Sequence, residues 1–130
     1  MPARSPKAAY VYDEVMSHHV LKEGHPMRPV RLQHTYELLR AYGAFEDESS
    51  MVIFPRPAST NELASFHNEN YIEAVRQLSN GQIDAIEGHG FSNEGDNPIY
   101  VGMYDAALLV AGASVQAAEL IADGTVGTAF

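Results

Sequence analysis

The sequence predicts an α/β protein built on an open parallel sheet with flanking helices. Short apolar runs at Ala8–Tyr12, Met51–Phe54 and Thr125–Phe130 read as strands, and helical patterns separate them. Each intervening segment is long enough for the helical crossover that parallel neighbours require. The length of 130 residues suits one domain.

Taken in order, Met1–Lys7 hold two of the seven prolines and no periodicity, so residues 1–7 read as a loose arm ahead of a domain at 8–130. Ala8–Tyr12 is apolar on both faces, as a covered strand should be, and Asp13 ends it. The polar stretch from Asp13 to Arg28 contains Ser17-His18-His19 and Gly24-His25-Pro26; it reads as a loop with one weak helical turn. Pro29 opens an amphipathic helix carrying Val30, Leu32, Tyr36, Leu39 and Tyr42, with Gly43 suited to a left-handed C-terminal cap.

Met51–Phe54 is the second strand, closed by Pro55-Arg56-Pro57. Ser59 and Glu62 then have capping-box spacing, in which the serine oxygen accepts a first-turn N–H and the glutamate reaches back to the N-cap N–H. Asn68 recaps a helix from Glu69 to Leu78 with Tyr71, Ile72, Val75 and Leu78 inward, ending near Gly81. The glycine-rich stretch 80–97 reads as a surface loop with one helical turn around Ile83. Asn97 as cap and Pro98 at the first helical position then start a helix from Ile99 to Asp123. Met103, Ala107, Val110, Ser114, Ala117 and Ile121 form one face, and the opposite face is hardly more polar, so most of the circumference needs covering. Gly112, Ser114 and Ala118 would permit close backbone approach.

The charge balance excludes several functions. A net charge of −9 with only 8 Lys plus Arg argues against a nucleic-acid groove or an acidic membrane surface, both of which need clustered cations. No unbroken run reaches the roughly 18 apolar residues that span a bilayer, and no signal-peptide core follows Met1–Lys7, so a cytoplasmic setting is expected. Without cysteine, any metal would have to be held by the six histidines and the carboxylates. His18, His19 and His25 share one loop, but adjacent histidines on an extended backbone point apart, and no metal site is assigned to this chain. Arg28 and Arg31 flank a helix start, where they suit an anion or surface ion pairs. Asp96 suits either a helix cap or an acceptor for a ligand's backbone N–H groups.

Three stretches together resemble the N-terminal part of the zinc-dependent histone deacetylase family, which includes bacterial acetoin-utilisation proteins and acetylpolyamine amidohydrolases. They are Gly24-His25-Pro26-Met27-Arg28-Pro29-Val30-Arg31-Leu32, Phe66-His67-Asn68-Glu69-Asn70-Tyr71-Ile72, and Asp96-Asn97-Pro98-Ile99-Tyr100-Val101-Gly102-Met103-Tyr104. The resemblance implies an arginase-like open α/β fold in which a metal, zinc in the complete enzyme, hydrolyses an acetyl amide. It further implies that His25, Pro26 and Met27 wall the acyl-lysine tunnel, that Arg31 lines an internal cavity beneath the metal, and that Asp96 on the rim holds substrate backbone N–H groups. The family's Gly-Gly-His-His-Ala follows a strand corresponding to Thr125–Phe130, and its Asp-x-His ligands and late tyrosine come later; none of these occurs here.

The expected function is therefore that of the N-terminal portion of a metal-dependent deacetylase, incomplete at its C-terminus and inactive alone, without zinc of its own. Its partners are expected to be an acetylated small molecule or acetyl-lysine peptide, with self-association or a completing C-terminal segment covering the long helix. The rival reading is a non-catalytic binding or regulatory module using the same half-fold. A stand-alone histidine metal protein is a third, and it predicts near-stoichiometric zinc in the purified chain.

Overall fold

A computed structural model describes residues 7–86 and 88–130; the expected arm, apart from Lys7, lies outside the described residues. The element order is β1 (Ala8–Val11), a 3₁₀ turn (Glu14–Ser17), α1 (Val30–Ala41), β2 (Ser50–Ile53), α2 (Thr60–Ala64), α3 (Glu69–Ser79), a second 3₁₀ turn (Ile83–Ile86), α4 (Met103–Ala122) and β3 (Thr128–Ala129). All pairings are parallel and the strand order is β2-β1-β3, the open flanked sheet that the sequence predicts. Register runs Ala8 to Ser50 and Val11 to Ile53 on one side, and Ala8 to Thr128 on the other.

Alternation along β1 divides the core. Tyr10 and Tyr12 point to the α1 side, where Tyr36 stacks on Tyr12 at 4.6 Å and on Phe45 at 5.5 Å. Such aromatic pairs add about 0.5–1.5 kcal/mol beyond the area they bury. Val11 points the other way, into a cluster with Met16 and Ala113, against which Leu109 and Ala117 of α4 pack. The sheet therefore lies between α1 and α4.

Local chemistry explains most boundaries. Asp13 caps the first 3₁₀ turn by accepting from the Val15 N–H at 2.9 Å. Both halves of the Ser59–Glu62 capping box form, and Asn68 caps α3 through the Asn70 N–H. Gly43 takes the expected left-handed conformation, φ +73°. Tyr42, by contrast, is the α1 C-cap and projects into solvent instead of joining the stripe. Phe54 likewise falls outside β2 and is exposed.

The long helix departs most from expectation. It starts at Met103, not Ile99, because Gly102 adopts φ +83° and breaks the run. Neither Asn97 nor Asp96 caps it. Its first-turn donors are met from α3, where the buried Ser79 accepts the Tyr104 N–H on its hydroxyl at 3.1 Å and the Gly102 N–H on its carbonyl at 3.4 Å. The helix is covered over a narrower part of its circumference than expected, with Met103, Gly112 and Ala113 buried. Gly112 and Ala113 turn inward, whereas Ala107, Val110, Ser114 and Ile121 are exposed. With both faces apolar, periodicity had no contrast with which to choose.

Gly112 makes the close approach that its size allows. A Cβ there would overlap the Arg56 carbonyl oxygen and lie 2.5 Å from the Ala58 nitrogen. The segment after β2 is bonded along the helix: the Ala58 N–H donates to the Leu108 carbonyl at 2.8 Å, and Gln116 bridges the Arg56 N–H and the Phe54 carbonyl. The Arg56 guanidinium forks onto Glu62 at 2.7 and 2.9 Å and reaches Glu119 at 3.2 Å.

These guanidinium bonds, followed by the Ser59 N–H, lower the Glu62 carboxyl from its ordinary 4.5 to about 2. A depressed carboxyl contributes stability above its unfolded value that is lost as pH falls through the folded one. Glu62→Gln, which retains a capping-box side chain, is expected to flatten the acid limb of stability between about pH 4.5 and 2. Denaturant melts at stepped pH check this; an unchanged acid limb contradicts it.

By length and composition α4 reaches the measure of a membrane-crossing helix, with mean hydropathy 1.4, although no unbroken apolar run in the sequence does so. Val101, just before it, and Phe66, just after α2, are both more than four-fifths exposed. Beside α4, Leu63, Tyr71, Val75, Tyr104 and Leu108 frame an apolar groove of about 160 Å³. The isolated chain is accordingly expected to bind a hydrophobic dye or self-associate. A dye-silent monomer in sedimentation contradicts that.

Candidate functional site

Ligands of open parallel sheets bind outside the carboxyl ends of the strands. Here β1 leaves the sheet at that end through Tyr12 and Asp13 into the 3₁₀ turn and then the long loop to Pro29. This loop folds round a groove of about 790 Å³, whose lining includes His19, Val20, Lys22, His25, Pro26 and Met27. Pro26 and Met27 are exposed on its wall. Three of the four residues assigned from the first motif stretch and the rim thus sit around one concavity, and Asp96 adjoins it through His25.

The loop is fixed from behind by residues 91–100. The Lys22 ammonium donates to the Gly95 carbonyl at 2.9 Å and lies 3.4 Å from the Asn93 carbonyl. His25 is about nine-tenths buried. Its Nδ1 meets the Met27 backbone, with the N–H at 3.0 Å and the carbonyl at 3.3 Å, while the bond to Asp96 needs a proton on Nε2. That Nε2–H donates to the Asp96 carbonyl at 3.0 Å. The resemblance makes His25 a wall residue; its ring lines the groove but spends both nitrogens on backbone, which leaves it little to offer a ligand.

Asp96 is exposed, and its carboxylate makes no hydrogen bond among the described residues. The start of α4 at Met103 removes the capping explanation for this residue. Its backbone is fastened while its side chain is free at the surface. Around it, the Ser92 N–H donates to the Asn97 carbonyl at 2.9 Å and Pro98 is buried.

The remaining histidines diverge. His18 turns to Glu14, 3.7 Å away at the surface, while His19 stacks on Tyr100 at 6.0 Å with planes 7° apart. Burial lowers the His19 pKa and raises that of Tyr100. Among the described residues no three His, Asp or Glu side chains converge as metal ligands. With His25 committed to backbone and His18 and His19 turned apart, the donors here do not fit a zinc site. Arg31 is exposed on the first turn of α1.

Sequence reasoning missed Lys22, Tyr100 and the Gly95 carbonyl. Nothing local marks them, because each acts across more than 70 residues or through backbone oxygen.

Residues 25–130 match the family described as the histone deacetylase domain. The chain is 33% identical over 119 residues to the acetoin utilization protein AcuC of Bacillus subtilis (strain 168), across 90% of this chain and 30% of that protein. It is 33% identical over 125 residues to histone deacetylase 2 of Oryza sativa subsp. japonica, across 95% of this chain and 25% of that protein. Against histone deacetylase RPD3 of Saccharomyces cerevisiae identity is 26% over 126 residues, 95% of this chain and 28% of that protein. The chain spans between about a quarter and a third of the length of these relatives.

Proposed function

The chain belongs to the histone deacetylase family, and from that premise we propose that it forms the substrate-presenting, N-terminal part of a metal-dependent deacetylase acting on acetyl amides. One observation carries the reading. Asp96 has its backbone fastened to the groove loop and its carboxylate left unused at the surface, and no helix needs it as a cap. A carboxylate accepts hydrogen bonds only, and those from backbone N–H groups are charge-assisted and strong. It is therefore suited to hold an extended peptide by its main chain while Pro26 and Met27 offer apolar surface to an acyl-lysine stem.

Zinc would supply carbonyl polarisation and a nucleophilic water in the complete family enzyme. No three side chains among the described residues converge to fit such a centre, so the part assigned here to the chain is binding and orientation. The net charge of −9 favours cationic ligands through long-range attraction, which suits the lysine-rich surroundings of acetyl-lysine and the amines of acetylpolyamines.

The lack of a metal-ligating cluster among the described residues also favours a second reading, a binding or regulatory module without hydrolytic activity. Calorimetry with an acetyl-lysine peptide and its unacetylated counterpart tests the shared premise. Preferential, saturable binding of the acetylated form is expected, and equal heats for both peptides contradict it.

A further inference from the structure

We propose that His25 is a positioning residue, an imidazole strut that sets where the Asp96 carboxylate stands relative to the Met27 wall. This deepens the reading of the same site and rests on it for the identity of the ligand. The two ring nitrogens meet two different segments. Nδ1 meets the Met27 backbone, two residues on, and Nε2 donates to the carbonyl of Asp96, 71 residues away. One rigid ring thus spans the loop wall and the rim.

The surroundings make this strut effective. Its ring is shielded from solvent, so water competes poorly for either bond. Lys22 ties the adjacent Gly95 carbonyl on the same side, so the Gly95-Asp96 peptide is held at two successive oxygens. Among the described residues the other hydrogen bonds of the rim segment are local or long: the Ser92 N–H to Asn97, the Gly95 and Glu94 N–H groups to Ser92, and contacts of 3.4 Å from Lys22 to Asn93, from Asn97 to Gly90 and from Ile99 to Asn93. Freeing the Asp96 carbonyl should therefore release the rim without disturbing the sheet sandwich.

The two nitrogens can be separated by substitution. An Asn amide reaches about as far as Nδ1 and a Gln amide about as far as Nε2, so His25→Gln can keep the Asp96 bond and His25→Asn the Met27 bond. Hydrogen exchange is measured on the full 130-residue chain without ligand. His25→Ala and His25→Asn are expected to speed exchange at Ser92 and Gly95 about tenfold, the scale of one lost hydrogen bond, with α1 and α4 unchanged. His25→Gln is expected to restore protection at those two amides. Asn and Gln variants that behave alike, or faster exchange spread equally over α1 and α4, overturn the strut.

A binding arm separates this outcome from the ligand assignment. For an acetyl-lysine peptide, His25→Ala is expected to cost several-fold in affinity in the parent and nothing further in an Asp96→Ala background. Full additivity overturns the positioning role. A parent chain that binds no acetyl-lysine peptide sinks the substrate reading, while the exchange pattern still decides the strut.

Discussion

Gly112→Ala is expected to destabilise the domain by about 1–3 kcal/mol, toward the upper end of what overpacking costs. Its added methyl would meet backbone on the segment 56–58, not the end of a flexible side chain. Backbone cannot rotate away, so relief requires the segment to lift from α4. Lifting loses the Ala58–Leu108 bond and both Gln116 bridges, and it moves Arg56 from between Glu62 and Glu119. A chain of this size should lose about 10 °C in Tm at the upper end of that range. Ser114→Ala, two residues on but exposed, is the control and should change Tm little. Equal, small shifts for both would show that the 56–58 segment does not bear on the helix as described.

Asp96→Ala is expected to weaken an acetyl-lysine peptide by about tenfold to a hundredfold, the range of lost hydrogen bonds to a charged acceptor. Small acetyl amides without flanking backbone should be almost unaffected. Stability should also hold, because the carboxylate has no partner among the described residues and no helix depends on it as a cap. Paired affinity measurements in the chain, or paired kinetics in a complete family member carrying the aspartate, check the difference. Equal losses for peptide and small amide would remove Asp96 as a main-chain grip.

The fold was legible where its causes are local. The Ser59–Glu62 box, the Asn68 cap and the Gly43 turn each depend on residues within a few positions, and each formed as the spacing predicts. Three short apolar runs separated by helices were enough to indicate a parallel sheet, although β2 slid by one residue and released Phe54 to solvent. The start of α4 was not legible. Asn97-Pro98 has the residues of a helix start, but the turn that buries Pro98 precedes a left-handed Gly102, and Ser79 of another helix supplies the cap. Nor could the sequence orient α4, since an Ala- and Val-rich helix offers no polar side to identify solvent.

The candidate site divides the same way. The resemblance implies substrate-binding roles for His25, Pro26, Met27 and Asp96, and the fold sets Asp96 against the loop that carries the other three. It could not be read that His25 turns its chemistry inward, or that Lys22 anchors Gly95, because both depend on carbonyls supplied by a distant loop. Asp96 gained weight for a structural reason: the helix it was thought to cap begins seven residues later, at Met103.

We propose that this groove and its rim receive an acetylated chain. Amide-resolved NMR titration of the 130-residue protein with an acetyl-lysine peptide tests it most directly. Saturable shifts are expected at the Met27 and Asp96 amides, and they should vanish in Asp96→Ala. Shifts confined to the exposed face of α4, or none at Met27 and Asp96, would contradict it.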